Sequence, residues 1–256
     1  MNNKAHFAYV QARLQARHGA RPKEGEWRRL HSIGDLGNYL QVAQRGPLNN
    51  WVVGMNPSTD VHDIELTLRQ RFRSYIDEVS QWLGNDWRSA IIWTKRLVDL
   101  PALYYLLSGQ PINSWMLDDP ELKAFAHVNE NLRTEAFMAS DCAVFLQAWK
   151  NQQRLTDAWF QEFQNRCPHT ISKQSGLMHV WKAIANRLQA QCEAPNDNTA
   201  IARESLETEL SAGFRKYSGS PAAFFIHLVL TALDLEKLRG GLVHRSLFPE
   251  YEGEQR

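Results

Sequence analysis

Cysteine is scarce in this chain: Cys142, Cys167 and Cys192 are the whole complement among 256 residues. An odd number at such wide spacing supports no disulfide framework and no CxxC redox or zinc motif, and it suits reduced thiols in a cytosolic protein. An excess of either charge is also missing, since 29 Lys and Arg oppose 28 Asp and Glu for a net charge of +1. That balance argues against a globally basic nucleic-acid binder and against an acidic disordered chain.

Long hydrophobic runs are lacking as well. Residues 100–117 are uncharged until the end but contain Pro101, Gly109, Gln110, Pro111 and Asn113, and the run 222–233 is short and includes His227. Neither suits a bilayer span. The first thirty residues are rich in base (Lys4, Arg13, Arg17, Arg21, Lys23, Arg28, Arg29) and hold only Glu24 and Glu26 as acids. That is the profile of an organellar transit peptide, without the apolar core of a secretory signal, and the segment is expected to belong to the folded chain.

Signatures of chemistry are missing too. There is no GxxxxGK(S/T) loop and no GxGxxG at a strand-to-helix junction, so no nucleotide site is expected. None of the nine histidines falls in HExxH or at a zinc spacing; His62-Asp63 and Cys167-Pro168-His169 come nearest. A thiol and an imidazole around a proline make no nucleophile unless they meet in space beside an oxyanion site. The expectation is therefore no catalytic residue, no metal and no cofactor. His227, between Phe225 and Leu228, reads as a hydrogen-bonded core histidine.

What the sequence does contain is helical periodicity. Prolines avoid residues 58–100, 121–167 and 222–248, leaving windows long enough for paired or extended helices. In the first, Val61, Ile64, Leu68, Phe72, Tyr75, Val79 and Leu83 recur at steps of three and four, with Glu65, Arg69, Arg71, Arg73, Asp77 and Glu78 mostly off the stripe. In the last, Phe225, Leu228, Ala232, Leu235, Leu238 and Leu242 repeat the pattern behind a Ser220 N-cap and Pro221 at the first helical position, while Gly240 and Gly241 are expected to weaken its far end. Further starts are expected at Asp35, at Asp60, and at Asp119-Pro120-Glu121 ahead of Leu122, Phe125, Val128 and Leu132. Alternating strand patterns are essentially absent.

Loops are expected at 45–58, 108–120, 167–175, 193–199 and 216–221, with a linker at 192–198. The nine tryptophans read as packing between helices. Arg69, Arg71, Arg73, Arg88, Lys95 and Arg96 read as a solvated helical face, since no nucleic-acid-binding motif accompanies them. An Asp-Leu pair followed by leucine occurs three times, at Asp35-Leu36, at Asp99-Leu100 with Leu103, and at Asp234-Leu235 with Leu238. The intervals suggest an internal repeat, with a degenerate copy at 180–188.

Three segments carry a family resemblance. Phe7 to Leu14, including Tyr9, Ala12 and Arg13, followed by Trp27 and by Asp35-Leu36-Gly37-Asn38-Tyr39-Leu40, resembles the opening of the C subunit of V-type and archaeal-type rotary ATPases, called subunit d in eukaryotes. Residues 90–103 resemble that family's Asp-x-x-Asn-Leu element, with Ala102 in place of the asparagine, and residues 221–245 resemble its final helices.

The resemblance implies an all-α fold of three pseudo-repeated lobes forming a funnel, with a reduced middle lobe. The lobes are expected at 1–110, 111–192 and 193–256. It implies a non-catalytic rotor piece of the central stalk, peripheral on the cytoplasmic face of the membrane. Its partners would be the central-shaft subunits and the membrane ion-carrying ring, with no nucleic acid and no small-molecule substrate. On the residues alone two other classes stay open. One is a cytosolic helical enzyme using Cys167, His169 or His62, and the other is a helical adaptor unrelated to ATPases.

Overall fold

The computed structural model describes residues 3–168, 177, 181 and 199–248. The expected linker at 192–198, His169, Cys192 and, apart from Trp181, the degenerate repeat at 180–188 lie outside the described residues. Every regular element among the described residues is helical. In order they are α1 (Asn3–Gly19), α2 (Glu24–His31), α3 (Leu36–Gln44), α4 (Asn49–Val52), α5 (Val61–Ser80), α6 (Asn85–Trp93), a 3₁₀ turn (Thr94–Leu97), α7 (Leu100–Leu107), α8 (Ser114–Asp118), α9 (Glu130–Met138), α10 (Ala143–Lys150), α11 (Leu155–Arg166), α12 (Thr199–Lys216) and α13 (Pro221–Leu247). The chain divides into two compact units, Met1–Arg71 with Gln174–Arg256, and Phe72–Lys173, the division falling inside α5.

In the first unit, α13 is the central element. Its opening turns are buried on all sides, from Pro221 to Leu228, and its later turns bury Leu235, Leu238 and Leu242 on one stripe. Pro221 occupies the first turn, where its missing N–H costs nothing. Ser220 stands at the N-cap in extended conformation, but its hydroxyl donates to the Tyr217 carbonyl at 2.7 Å rather than capping the helix. The turn before it needs Gly219 at φ +78°. Gln11 of α1 secures that turn, accepting from the Gly219 N–H at 2.8 Å and donating to the Ser218 hydroxyl at 3.0 Å.

The glycine pair does not end α13. The helix continues to Leu247 because Arg245, beyond the pair, is anchored: its guanidinium donates to the carbonyls of Ile33 and Gly241 at 2.7 and 2.8 Å and lies 4.3 Å from the Tyr39 ring centroid. The two glycines have different reasons. A β-carbon at 241 would strike the Tyr39 hydroxyl and lie 2.9 Å from Tyr39 Cζ, whereas one at 240 would meet nothing within 4 Å. Gly240→Ala is therefore expected to stabilise by about 0.8–1 kcal/mol through helix propensity. Gly241→Ala is expected to lose about 1–3 kcal/mol to overpacking, more than propensity returns. Because the buried Tyr39 hydroxyl has no hydrogen-bond partner, Tyr39→Phe should recover part of the Gly241→Ala loss, the ring carbon 2.9 Å from the new β-carbon remaining; urea midpoints of the three variants check this.

In the second unit, the α5 stripe is buried as the period requires, with Phe72 at 1% and Val79 at 0% exposure. The start expected at Asp119-Pro120-Glu121 makes only turns. Asp119 Oδ1 accepts the Glu121 N–H at 2.9 Å, and the next helix, α9, begins instead where the Asn129 side chain caps the N–H groups of Asn131 and Leu132. Leu122 and Phe125 are accordingly buried while Val128 and Leu132 are exposed. None of the tryptophans is exposed. Trp93 and Trp159 are paired reciprocally, each indole N–H donating to the other's carbonyl, at 2.9 and 3.3 Å.

Candidate functional site

Each unit holds buried charge among the described residues. In the second unit the arginines expected on a solvated face are partly internal. Arg73 is 5% exposed and spans two fully buried carboxylates, Nη2 lying 2.5 Å from Asp99 Oδ1 and Nη1 lying 2.7 Å from Asp119 Oδ1. Arg96 extends the network to the other Asp99 oxygen at 3.3 Å, to Glu121 at 3.0 Å and to Asp141 at 3.1 Å. Burial by itself lowers the affinity of Arg73 for its proton, and Asp99 and Asp119 outweigh that and raise it. In the first unit Arg69 is likewise buried, bonded to Glu65 at 2.9 Å. Arg88 stays exposed.

The first unit's cluster gathers α1, α12 and α13. Arg21 grips Asp234 with two bonds of 2.6 and 3.0 Å and Glu207 with a third of 3.1 Å. Beside it the His18 ring stacks on Phe214 at 3.8 Å, with His227 6.1 Å away. Burial, then Arg21 and Arg215, push His18 down to about 4. Burial, then His18, Arg21 and Arg17, push His227 down to about 3. Burial pushes Asp234 up to about 6, against the opposing bond from Arg21.

These shifts have opposite consequences for stability. His227 binds its proton less well folded than at the ordinary 6.5, so its contribution is complete above about pH 6.5 and is lost as pH falls toward 3, about 2 kcal/mol between pH 7 and 5. Asp234 binds its proton better folded than at the ordinary 3.8, so it adds about 1 kcal/mol over the same acidification. His18, half-buried and also held below its ordinary value, loses stability in the same direction, so urea midpoints should fall from pH 7 to pH 5 for the natural sequence. His227→Gln should reduce the fall, leaving the part due to His18, and Asp234→Asn should deepen it.

The three Asp-Leu pairs occupy three settings. Asp35 caps α3, its carboxylate accepting the Asn38 N–H at 2.7 Å, a bond that lowers its pKa. Asp99 stands just before α7 with its carboxylate in the arginine network, and Asp234 lies within α13 opposite Arg21. What the pairs share is a buried leucine three or four residues onward: Leu40, Leu103 and Leu238. Leu36 and Leu235 are buried as well, and Leu100 is half-buried. Tyr9, Ala12 and Arg13 are exposed on α1, the Arg13 guanidinium 5.5 Å from the Tyr9 ring centroid.

The thiols are not poised for nucleophilic chemistry. Burial pushes Cys142 up to about 12 and Cys167 up to about 11, which leaves almost no thiolate at neutral pH. His62 is exposed at the start of α5, and His227 is a buried core residue of α13. Among the described residues no group of three or more His, Cys, Asp and Glu is placed to hold a metal ion, and no helix is long and apolar enough to cross a membrane.

A pocket of about 500 Å³ opens in the first unit beside Arg21, Lys23, Glu26, Asn49 and Asn50. Arg21 is engaged there by Asp234 and Glu207, and the Glu26 carboxylate accepts the backbone N–H of Lys23 at 2.7 Å. The ionic clusters thus fix helices to one another. No protein-family model, curated protein or solved structure matches the chain.

Proposed function

We propose that this chain is a non-catalytic central-stalk subunit of a V/A-type rotary ATPase, a socket that couples the central shaft to the membrane ion-carrying ring. The observation that carries the reading is the order of the three family-like segments along the chain, at 7–40, 90–103 and 221–245. In this reading the helices form three pseudo-repeated lobes of a funnel, with a reduced middle lobe, seated peripherally on the cytoplasmic face.

The physical demands of the task support it. A piece that passes torque must resist bending, and helices fixed by Arg73 to Asp99 and Asp119, by Arg21 to Asp234, and by the Trp93–Trp159 pair are resistant. The test is a tagged copy of the chain purified from gently solubilised membranes of its own cell. The expected result is recovery of shaft and ring subunits with it. Recovery of the intact ATPase from the same membranes by another subunit, without this chain, would refute the reading.

A further inference from the structure

Helix α9 has nine residues and buries one of them, Phe137, whereas α3, of equal length, buries four. A helix this short is unstable alone in water and is held by the faces it packs, and among the described residues little covers the outer side of α9. Its solvent side is not the polar side expected of a surface helix. Asn131, Leu132, Glu135 and Met138 share one arc of α9 at 100° per residue and all four are exposed, as is Val128 in the bend just before the helix. Val128 is 92%, Leu132 49% and Met138 61% exposed. Steps of three and four over this stretch make the seam of a helix that packs lengthwise against another helix.

We propose that this face of α9 docks an amphipathic helix of a different protein, one that carries an apolar stripe with a lysine or arginine opposite Glu135. Glu135 is exposed within the stripe, and any helix laid along Leu132 and Met138 would take its carboxylate out of water. Left unpaired there the charge is costly; paired with a base it fixes register and orientation. Glu130, also exposed, stands at the start of the same helix and adds to the negative field, while Arg133 lies half-buried off the seam. A second copy of this chain is a poor occupant, because a two-fold contact through the same face would set two Glu135 carboxylates near each other. The inference concerns α9 alone and stands apart from the stalk assignment.

The full chain is titrated, by fluorescence anisotropy, with two labelled three-heptad peptides. Both carry leucine at the a and d positions and differ only in lysine or glutamate at the central a position. The lysine peptide is expected to bind at least about tenfold more tightly, and Glu135→Lys is expected to reverse the order. Leu132→Asp, an exposed substitution that should leave far-UV circular dichroism unchanged, is expected to abolish binding of both. Equal affinity for the two peptides, or binding that survives Leu132→Asp, would overturn the proposal. So would a concentration-dependent dimer of the chain that Leu132→Asp dissolves, since the face would then belong to a second copy.

Discussion

Replacing Arg73 with methionine is expected to cost about 3–5 kcal/mol of folding stability, because the substitution strands two carboxylates in the interior. Asp99 and Asp119 are both 0% exposed, and each takes one guanidinium nitrogen of Arg73. Arg96 reaches the second Asp99 oxygen at 3.3 Å, so it offsets only part of the loss. The size of the effect comes from leaving charge buried, not from the worth of the pair when intact. The triple variant Arg73→Met, Asp99→Asn, Asp119→Asn should therefore recover most of the lost stability, and urea unfolding of the single and triple variants measures the difference. A single variant within about 0.5 kcal/mol of the natural chain would mean that the network is exposed to water.

Truncating Trp93 to alanine should cost a similar amount, about 3–5 kcal/mol, by a different mechanism. The side chain is 1% exposed, its ring is stacked on Phe145 at 5.5 Å, the Arg166 guanidinium lies over it at 4.3 Å, and its N–H bonds the Trp159 carbonyl at 2.9 Å. Alanine leaves a cavity the size of an indole and orphans a buried carbonyl. Trp93→Phe retains the stacking and loses the hydrogen bond, so it should cost clearly less. Thermal unfolding followed by circular dichroism separates the two, and equal losses would place the value of Trp93 in its N–H rather than its bulk.

The parts of this fold that could be read in the sequence are those set by neighbours within a few positions. The α5 stripe from Ile64 to Val79, Pro221 at the start of α13 and the Asp35 cap each follow from local period or local hydrogen bonding. What could not be read depends on distant partners. Arg73 looks like a solvent-facing residue until Asp99 and Asp119, 26 and 46 positions onward, are brought beside it. Gly241 looks like a helix breaker until Tyr39 is found where its β-carbon would be.

Val128 and Leu132 continue the spacing of Leu122 and Phe125, yet the pairs face opposite environments because the chain turns before Asn129 and a new helix starts there. Period alone carries no sign of that restart; the Asn129 cap was the available signal, and the stronger-looking Asp119-Pro120-Glu121 masked it. The candidate clusters follow the same rule. Asp99 and Asp234 stand out in sequence as members of a repeated pair, but their partners are distant, Arg73 on α5 and Arg21 in the connection between α1 and α2.

The central claim, that this chain couples a shaft to an ion-carrying ring, is tested most directly by measuring ATP hydrolysis and ATP-driven ion uptake together in inverted membrane vesicles from cells with and without the gene. The account predicts that loss of the chain abolishes ion uptake while ATP hydrolysis by the catalytic head persists, and that the natural sequence restores uptake when supplied in trans. Ion uptake that proceeds unchanged without the chain would contradict it.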